Sequence, residues 1–245
     1  MPTTYAGSEA TPILGETKGG LKTTQKSPRI LPDVIVYDVD LTLTLPPGLS
    51  ATSGMNAIAH AVEALYAEDV NPIISILAQE GIAALARALP RIIQSPQDRD
   101  ARSDALYGAW VCGICLGVVG MALHHKLCHV LGGSFDLPHA ETHTIVLPHA
   151  VAYNAPAAPE AMSRIAQTLG VSNAAQGLFD LAQSLGTPKG LKDIGMRESG
   201  LDRAAELAVA SPYWNPRQID QGGIRALLDD AYHGRRPEPM RAGAA

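Results

Sequence analysis

Apolar residues recur at intervals of three and four positions from residue 50 onward, which is the spacing of helices with one buried face. In the first such segment Ile58 and Val62 share a face, and Ser50 or Thr52 is the expected N-cap. The pattern continues along most of the chain, so the predicted fold class is mainly α. The predicted helices cover residues 50–67, 72–93, 98–131, 139–153, 159–169, 174–186, 201–209 and 216–232.

The first 49 residues have a different pattern, rich in Thr, Pro and Gly with short β-prone pieces. Four consecutive apolar or aromatic positions within Asp33–Asp38 predict a buried strand. So few strands cannot form an independent sheet with buried faces, and we interpret this stretch as the trailing part of an α/β domain. The predicted organisation is an α/β remnant over 1–49, a helical domain over 50–234 and a disordered tail over 235–245.

The composition is that of a globular chain of 245 residues, with 46% hydrophobic residues to form a core. The formal net charge of −5 and the absence of a Lys/Arg stripe argue against a nucleic-acid partner. No apolar run approaches the roughly 20 residues that span a bilayer, and the N-terminus has no signal-peptide pattern. We therefore expect a cytoplasmic protein without a membrane partner.

The three cysteines, Cys112, Cys115 and Cys128, are odd in number and lie on apolar helical stretches, so a disulfide framework is not expected. Cys112 and Cys115 have the CxxC spacing, but there is no second pair of the kind that a zinc site uses. We interpret these two as buried structural thiols.

Six of the eight histidines lie between His124 and His149, and the upstream segment NAIAH places Asn56 and His60 four residues apart on one helix face. Histidine changes its charge near neutral pH and also binds metals, so a cluster of this kind indicates an active site. His233 lies near the polar tail and is expected to be exposed.

Four motifs of this chain occur in the order in which one protein family has them, and together they cover nearly the whole chain. They are PTTYAGSEATP, the segment from LPDVIVYD to HAVEALY, HHKLCHVLGG and PHAETHTIVLPHAVAYN. They resemble the maleylacetate reductases, a branch of the iron-containing alcohol dehydrogenase family. The resemblance implies a nucleotide-binding α/β domain with a GGGS-type pyrophosphate loop, followed by a helical catalytic domain. This sequence starts after that loop. We therefore expect a truncated form with impaired activity, in which residues 1–49 are the remnant of the nucleotide-binding domain.

The resemblance also implies a metal position. In metal-dependent relatives one Asp and three His bind iron or zinc, and the matching positions here are Asn56, His60, His125 and His139. Only the Asp has changed. An amide oxygen is a weaker ligand than a carboxylate, although three imidazoles can hold zinc. We expect the binding of a divalent metal to be weakened rather than excluded, and the metal not to be required.

The reaction that the resemblance implies is reduction of the C=C bond of maleylacetate, a keto-dicarboxylate, to give 3-oxoadipate with NADH or NADPH in aromatic-compound degradation. Hydride addition to an enone places negative charge on an enolate oxygen, which imidazolium or other hydrogen-bond donors can stabilise without a Lewis acid. The sequence leaves NADH versus NADPH and chlorinated versus plain substrate open. A homodimer is expected for the full-length protein.

Roles follow for the histidines. His60, His125 and His139 would bind or polarise the keto-acid, and the alternative is that they are buried histidines that pack helices. His129 lies one helical turn after His125 and is the candidate proton donor to the carbon next to the ketone. The alternative for His129 is a role in orienting the helix. His124, His143 and His149 have weaker claims, and we interpret His143 and His149 as structural.

Lys126 is a candidate to bind a substrate carboxylate, with a solvated lysine as the alternative. Asn56 would orient His60 or a substrate carboxylate. Three hydroxyl residues of the N-terminal loop match the family's contacts near the nicotinamide ribose and pyrophosphate, although a Ser/Thr-rich turn has the same pattern. They are Thr3, Thr4 and Ser8.

Two other functions stay open. One is a metal-dependent alcohol dehydrogenase of the same family, against which Asn56 and the HHKLCH run argue. The other is a non-catalytic helical domain that needs a separate nucleotide-binding half. Hydrolases rank low, since Glu63 and Glu68 do not form a convincing carboxylate pair for glycoside hydrolysis and no GxSxG motif is present.

Overall fold

The computed structural model describes residues 1–18, 21–210 and 213–238. The contacts divide the chain into two compact units, Met1–Met121 and Ala122–Ala245. Both are mainly helical, as the apolar pattern predicts. The predicted domain boundary at residue 50 rests on the family's organisation and stays a prediction.

The first unit consists of a β-hairpin and long helices, joined by turns and short 3-10 segments. Its strands are β1 (Ile13–Lys18) and β2 (Leu21–Lys26), which pair antiparallel with Ile13 opposite Lys26. Its helices are α1 (Pro47–Ala64), α2 (Pro72–Gln94) and α3 (Arg99–Val118).

Helix α1 is the centre of this unit, because its residues from Ser50 to Ala64 are buried on every face. The predicted N-caps were wrong. The helix already begins at Pro47, where the fixed φ of proline favours a first helical residue. Ser50 and Thr52 therefore lie inside the helix, and the hydroxyl of Thr52 donates to the carbonyl of Gly48 at 3.2 Å.

Helix α2 packs against α1 and α3 at close range, because glycines replace side chains at the contacts. A Cβ atom on Gly81 would lie 2.6 Å from Cys112 Sγ, and one on Gly108 would lie 2.8 Å from Leu85 Cγ. Among the described residues, α2 on its own is also long and apolar enough to cross a membrane. The core helix of a soluble protein passes the same test, so this is weak evidence for a span.

The strand predicted over Asp33–Asp38 is wrong. Among the described residues only β1 and β2 pair, and Val34 and Val36 have 77% and 50% of their surface exposed. A short apolar run predicts a strand only if a neighbouring strand accepts its backbone hydrogen bonds. Here the run is an extended connection that leads into a 3-10 turn at Val39–Thr42.

The single helix predicted over 98–131 is broken in the structure. Helix α3 ends at Val118, Val119 is extended, and the next helix begins at Leu123. At the break the backbone N–H of Gly120 donates to Asp69 Oδ1 at 2.9 Å. The apolar periodicity continues through this region, so it does not reveal the break. Gly120 is the residue in the sequence that could have indicated it.

The regular secondary structure of the second unit is helical among its described residues. Its helices are α4 (Leu123–Phe135), α5 (His139–Asn154), α6 (Pro159–Leu169), α7 (Ala174–Ser184), α8 (Leu201–Val209) and α9 (Gln221–His233). Helices α4, α5, α8 and α9 share one apolar core, which includes Leu127, Val146, Leu201 and Ile224. Helix α9 starts later than predicted because Asp220 caps it, accepting from the N–H of Gly223 at 2.7 Å.

The predicted disordered tail is partly described. The guanidinium of Arg236 donates to both carboxylate oxygens of Asp180 at 2.8 and 2.7 Å, and Arg235 pairs with Asp229 and Asp230. The side chain of Gln176 also donates to the carbonyl of Pro237 at 2.9 Å, so three consecutive residues of the predicted tail contact the helical unit. The remainder of the predicted tail, 239–245, lies outside the described residues.

Candidate active site

Helices α4 and α5 bring five histidines of the second unit together. They are His124, His125 and His129 on α4 and His139 and His143 on α5, and we call them the histidine cluster. Ring centroids lie 6.5 Å apart for His125 and His129, 5.1 Å for His125 and His143, and 4.3 Å for His139 and His143. Each helix contributes residues spaced by one turn, so the rings follow one another along facing surfaces.

A tight connection between α4 and α5 produces this arrangement. Asp136 adopts a left-handed conformation with φ 54°, and Pro138 immediately precedes the first residue of α5. Thr142 then fixes the first turn of α5, its hydroxyl donating to the carbonyl of Pro138 at 2.7 Å. The reversal therefore places His139 close to the residues of α4.

The cluster has a buried end and an exposed end. His124 and His143 have 0% of their surface exposed and His125 has 7%, whereas His129 and His139 are exposed. At the buried end His124 Nε2 lies 2.9 Å from His143 Nδ1, so one imidazole donates and the other accepts. The exposed rings can meet a substrate, while the buried pair fixes the orientation of the helices behind them.

Lys126 is held on the same helix. Its Nζ lies 5.6 Å from the centroid of the Tyr213 ring, which is within cation–π range, and the side chain is half-buried. This contact favours the interpretation of Lys126 as an oriented cation over the alternative of a fully solvated lysine.

In the first unit, Asn56 and His60 lie one turn apart on α1 with 3% and 4% of their surface exposed. Within the described part of the chain, no group donates a hydrogen bond to the buried Asn56 Oδ1. A buried carbonyl oxygen of this kind costs free energy unless a ligand, an ion or water meets it. Glu63 is buried on the same helix while Glu68 is exposed, so the two carboxylates lie in different environments.

The residues at the family's metal position fit a weak metal site. Asn56 Oδ1 accepts no hydrogen bond among the described residues, and the His60 imidazole lies on the same face of α1. His125 and His139 belong to the second unit. A shared pocket of these four residues stays a prediction, and they are the residues that would hold an iron or zinc ion.

The N-terminal loop that carries the predicted cofactor contacts is clamped to α3. Gly7 has φ 74°, and a Cβ atom there would lie 2.3 Å from the carbonyl oxygen of Ala109. Thr3 and Ser8 are exposed and Thr4 is half-buried. The loop therefore presents two accessible hydroxyls on a rigid support, which fits contacts to a polar cofactor.

Arg102 anchors the same loop, a role that no pattern in the sequence predicts. Its side chain is fully buried, and its guanidinium donates to Tyr5 Oη at 3.0 Å. The backbone carbonyls of Pro96 and Leu45 and the hydroxyl of Ser50 accept its other hydrogen bonds. The guanidinium thus ties the N-terminal loop to α1 and α3.

The cysteines form no disulfide among the described residues, as predicted. Burial raises the pKa of the Cys115 thiol to about 12 and that of Cys112 well above its usual range. Both are therefore protonated at neutral pH, which supports a structural role.

The remaining histidines lie away from the cluster rings. His149 is buried on α5, and burial lowers its pKa from 6.5 to about 4. His233 was expected to be exposed but is half-buried, with Nδ1 3.0 Å from the carbonyl oxygen of Asp229. Neither residue contacts the histidine cluster in the described structure, so their burial supports structural roles.

The C-terminal domain of the Fe-containing alcohol dehydrogenase family matches residues 50–232. The chain belongs to this family. Its architecture agrees with that assignment, because a crystal structure of an iron-containing alcohol dehydrogenase from Corynebacterium glutamicum superposes with a TM-score of 0.92 at 43% identity. That match covers 96% of this chain and 67% of the other.

Within the family, the chain is similar to maleylacetate reductases. It is 56% identical to the enzyme of Rhizobium sp. strain MTP-10005 over 97% of this chain and 68% of that protein, and 57% identical to the enzyme of Pseudomonas sp. strain P51. The crystal structure of the Rhizobium enzyme superposes with a TM-score of 0.93. The resemblance inferred from the sequence motifs is thereby confirmed.

Proposed function

We propose that this chain supplies the catalytic residues of a maleylacetate reductase, an oxidoreductase that reduces the C=C bond of maleylacetate to give 3-oxoadipate with NADH or NADPH in aromatic-compound degradation. The observation that carries the proposal is the 56% identity to maleylacetate reductase over 97% of the chain. The substitution of Asn56 at the family's carboxylate position supports it, because conjugate reduction does not need a cation at the ketone.

The nicotinamide supplies the hydride when it is bound. The chain's residues then act on the carbonyl oxygen and the neighbouring carbon. His125, His139 and His60 bind the ketone and donate hydrogen bonds to the oxygen that becomes an enolate. His129, exposed and one turn from His125, returns a proton to the carbon next to the ketone, which completes the saturated product.

Recognition of the substrate and cofactor falls to other residues. Lys126, oriented by Tyr213, pairs with a carboxylate of the keto-dicarboxylate, and Asn56 orients His60 or a second carboxylate. Thr3, Thr4 and Ser8 contact the nicotinamide ribose and pyrophosphate from the loop that Gly7 holds against α3. The fixed loop supports this assignment, since precise contacts need a rigid support.

A second candidate is an alcohol dehydrogenase that uses iron or zinc, favoured by the 43% identity to the iron-containing enzyme of Corynebacterium glutamicum. In that case the metal would polarise an aldehyde or ketone directly. Asn56 argues against it, because an amide replaces the one anionic ligand.

The test is a chimera that joins this chain to the N-terminal segment of the Rhizobium relative that the match leaves uncovered. The chimera should oxidise NADH or NADPH in the presence of maleylacetate and form 3-oxoadipate. It should show no comparable turnover of simple alcohols or aldehydes. Metal-dependent alcohol oxidation without maleylacetate reduction would contradict the proposal. A homodimer and a cytoplasmic location remain predictions for the protein.

A further inference from the structure

Three buried side chains of the second unit bring metal-binding atoms together beside the exposed histidines. They are His124 and Cys128, one turn apart on α4, and His143 on α5. Their ligand atoms all lie within 4.8 Å of one another. Two separations are shorter, with His124 Nε2 2.9 Å from His143 Nδ1 and 3.8 Å from Cys128 Sγ.

These distances resemble the edges of a tetrahedral metal site. With zinc bonds of about 2.1 Å to nitrogen and about 2.3 Å to sulfur, ligand atoms lie roughly 3.4 to 3.6 Å apart. The observed separations of 2.9 and 3.8 Å fall on either side of that range. His124 and His143 share one hydrogen-bonding proton at their contact. If a metal ion replaces that proton, the two nitrogens must move apart by about half an ångström.

The donor set selects the kind of ion. One thiolate and two imidazoles suit borderline and soft cations such as Zn²⁺ and Cd²⁺, whereas Mg²⁺ and Ca²⁺ require oxygen ligands. A thiolate also offsets part of the cation's charge inside a buried site. We propose that His124, Cys128 and His143 form a binding site for Zn²⁺ or a similar thiophilic divalent cation.

This site differs from the family's metal position. The family position corresponds to Asn56, His60, His125 and His139 and contains no sulfur. The ring centroids of the exposed His139 and the buried His143 lie 4.3 Å apart, so the proposed site lies directly behind a residue that solvent reaches. The site does not depend on the proposed reaction, and its consequence for that reaction is inhibition. An ion here holds His143, which contacts both His125 and His139.

Sulfur-to-metal charge transfer tests the proposal on the 245-residue chain itself. Titration with Co²⁺ or Cd²⁺ under reducing conditions should produce a thiolate charge-transfer band that saturates at one ion per chain. Cys128→Ser should abolish the band. Cys112→Ser and Cys115→Ser are matched controls, because both thiols are buried on α3, and these variants should retain it.

His143→Gln should lower the affinity of this site for Cd²⁺ at least about tenfold, since one of three ligands is lost. X-ray absorption at the zinc edge identifies the ligands of zinc in the wild-type protein. It should show one sulfur ligand per bound zinc. No charge-transfer band in the wild type, a band that persists in Cys128→Ser, or zinc bound by nitrogen and oxygen alone would overturn the proposal.

Discussion

His124 Nε2 and His143 Nδ1 lie 2.9 Å apart, and both side chains are completely buried. This hydrogen bond joins α4 to α5 behind the exposed His129 and His139. A buried imidazole needs a partner for its nitrogen, so each residue of the pair depends on the other.

Replacement of one member should therefore be costly. His143→Leu should lower the free energy of unfolding by about 1 to 3 kcal/mol, because a buried nitrogen of His124 loses its hydrogen bond to His143. His139→Leu, on the exposed end of the cluster, should cost less than about 0.5 kcal/mol. Urea denaturation of the two variants checks this, and equal losses would show that the buried pair is not structural.

The protonation of His149 should make stability depend on pH. Burial lowers its pKa from 6.5 to about 4, and Asp230 offsets part of the shift. Because the unfolded chain binds the proton more tightly, the stability provided by neutral His149 is complete above pH 6.5 and falls away toward about pH 4. The total change is about 3 kcal/mol.

His149→Gln cannot titrate and should lose less stability than the wild type over the same pH interval. The half-buried His233, changed to Gln, is the matched control and should keep the wild-type dependence. Urea-unfolding free energies at about pH 7.5 and about pH 4 give the comparison. A wild-type slope that His149→Gln leaves unchanged would assign the acid sensitivity to other groups.

Arg102 should be among the most sensitive positions of the first unit. Arg102→Met keeps the length of the side chain but leaves Tyr5 Oη and two backbone carbonyls without their donor. The expected loss is at least about 3 kcal/mol. Arg99→Met is the control on the same helix, because Arg99 is 60% exposed and its ion pair with Asp40 should contribute less than about 1 kcal/mol.

Thermal or urea unfolding measures both arginine variants. A similar, small effect of Arg102→Met and Arg99→Met would mean that the buried hydrogen bonds of Arg102 do not hold the N-terminal loop.

Gly113→Ala should release the N-terminal loop from α3. The new Cβ would lie 2.1 Å from the carbonyl oxygen of Gly7, and backbone atoms cannot move aside as a flexible side chain can. Protease cleavage within residues 1–12 should become faster. Gly48→Ala, which places a Cβ in open space, should leave cleavage unchanged. Unchanged cleavage in Gly113→Ala would show that the loop does not need this contact.

The sequence predicted most of the helices because their apolar periodicity is local information. It did not predict the break at Val119 or the exposure of Val34, since both depend on which groups the backbone meets elsewhere in the fold. The family resemblance identified His125 and His139. The pairing of His124 with His143 and the burial of Arg102 required the structure, because each joins residues far apart in the chain.

Reduction of maleylacetate without a metal ion is open to a chelation experiment on the chimera. The rate of NADH or NADPH oxidation with maleylacetate should not fall after exhaustive treatment with a strong chelator, and it should rise if the chelator removes an inhibiting ion from His124, Cys128 and His143. The chelated preparation should then contain far less than one iron or zinc per chain. Asn56→Asp, which restores the family's carboxylate, should bind metal more tightly than the wild type. Loss of maleylacetate reduction on chelation, with recovery on addition of Fe²⁺ or Zn²⁺, would contradict the account.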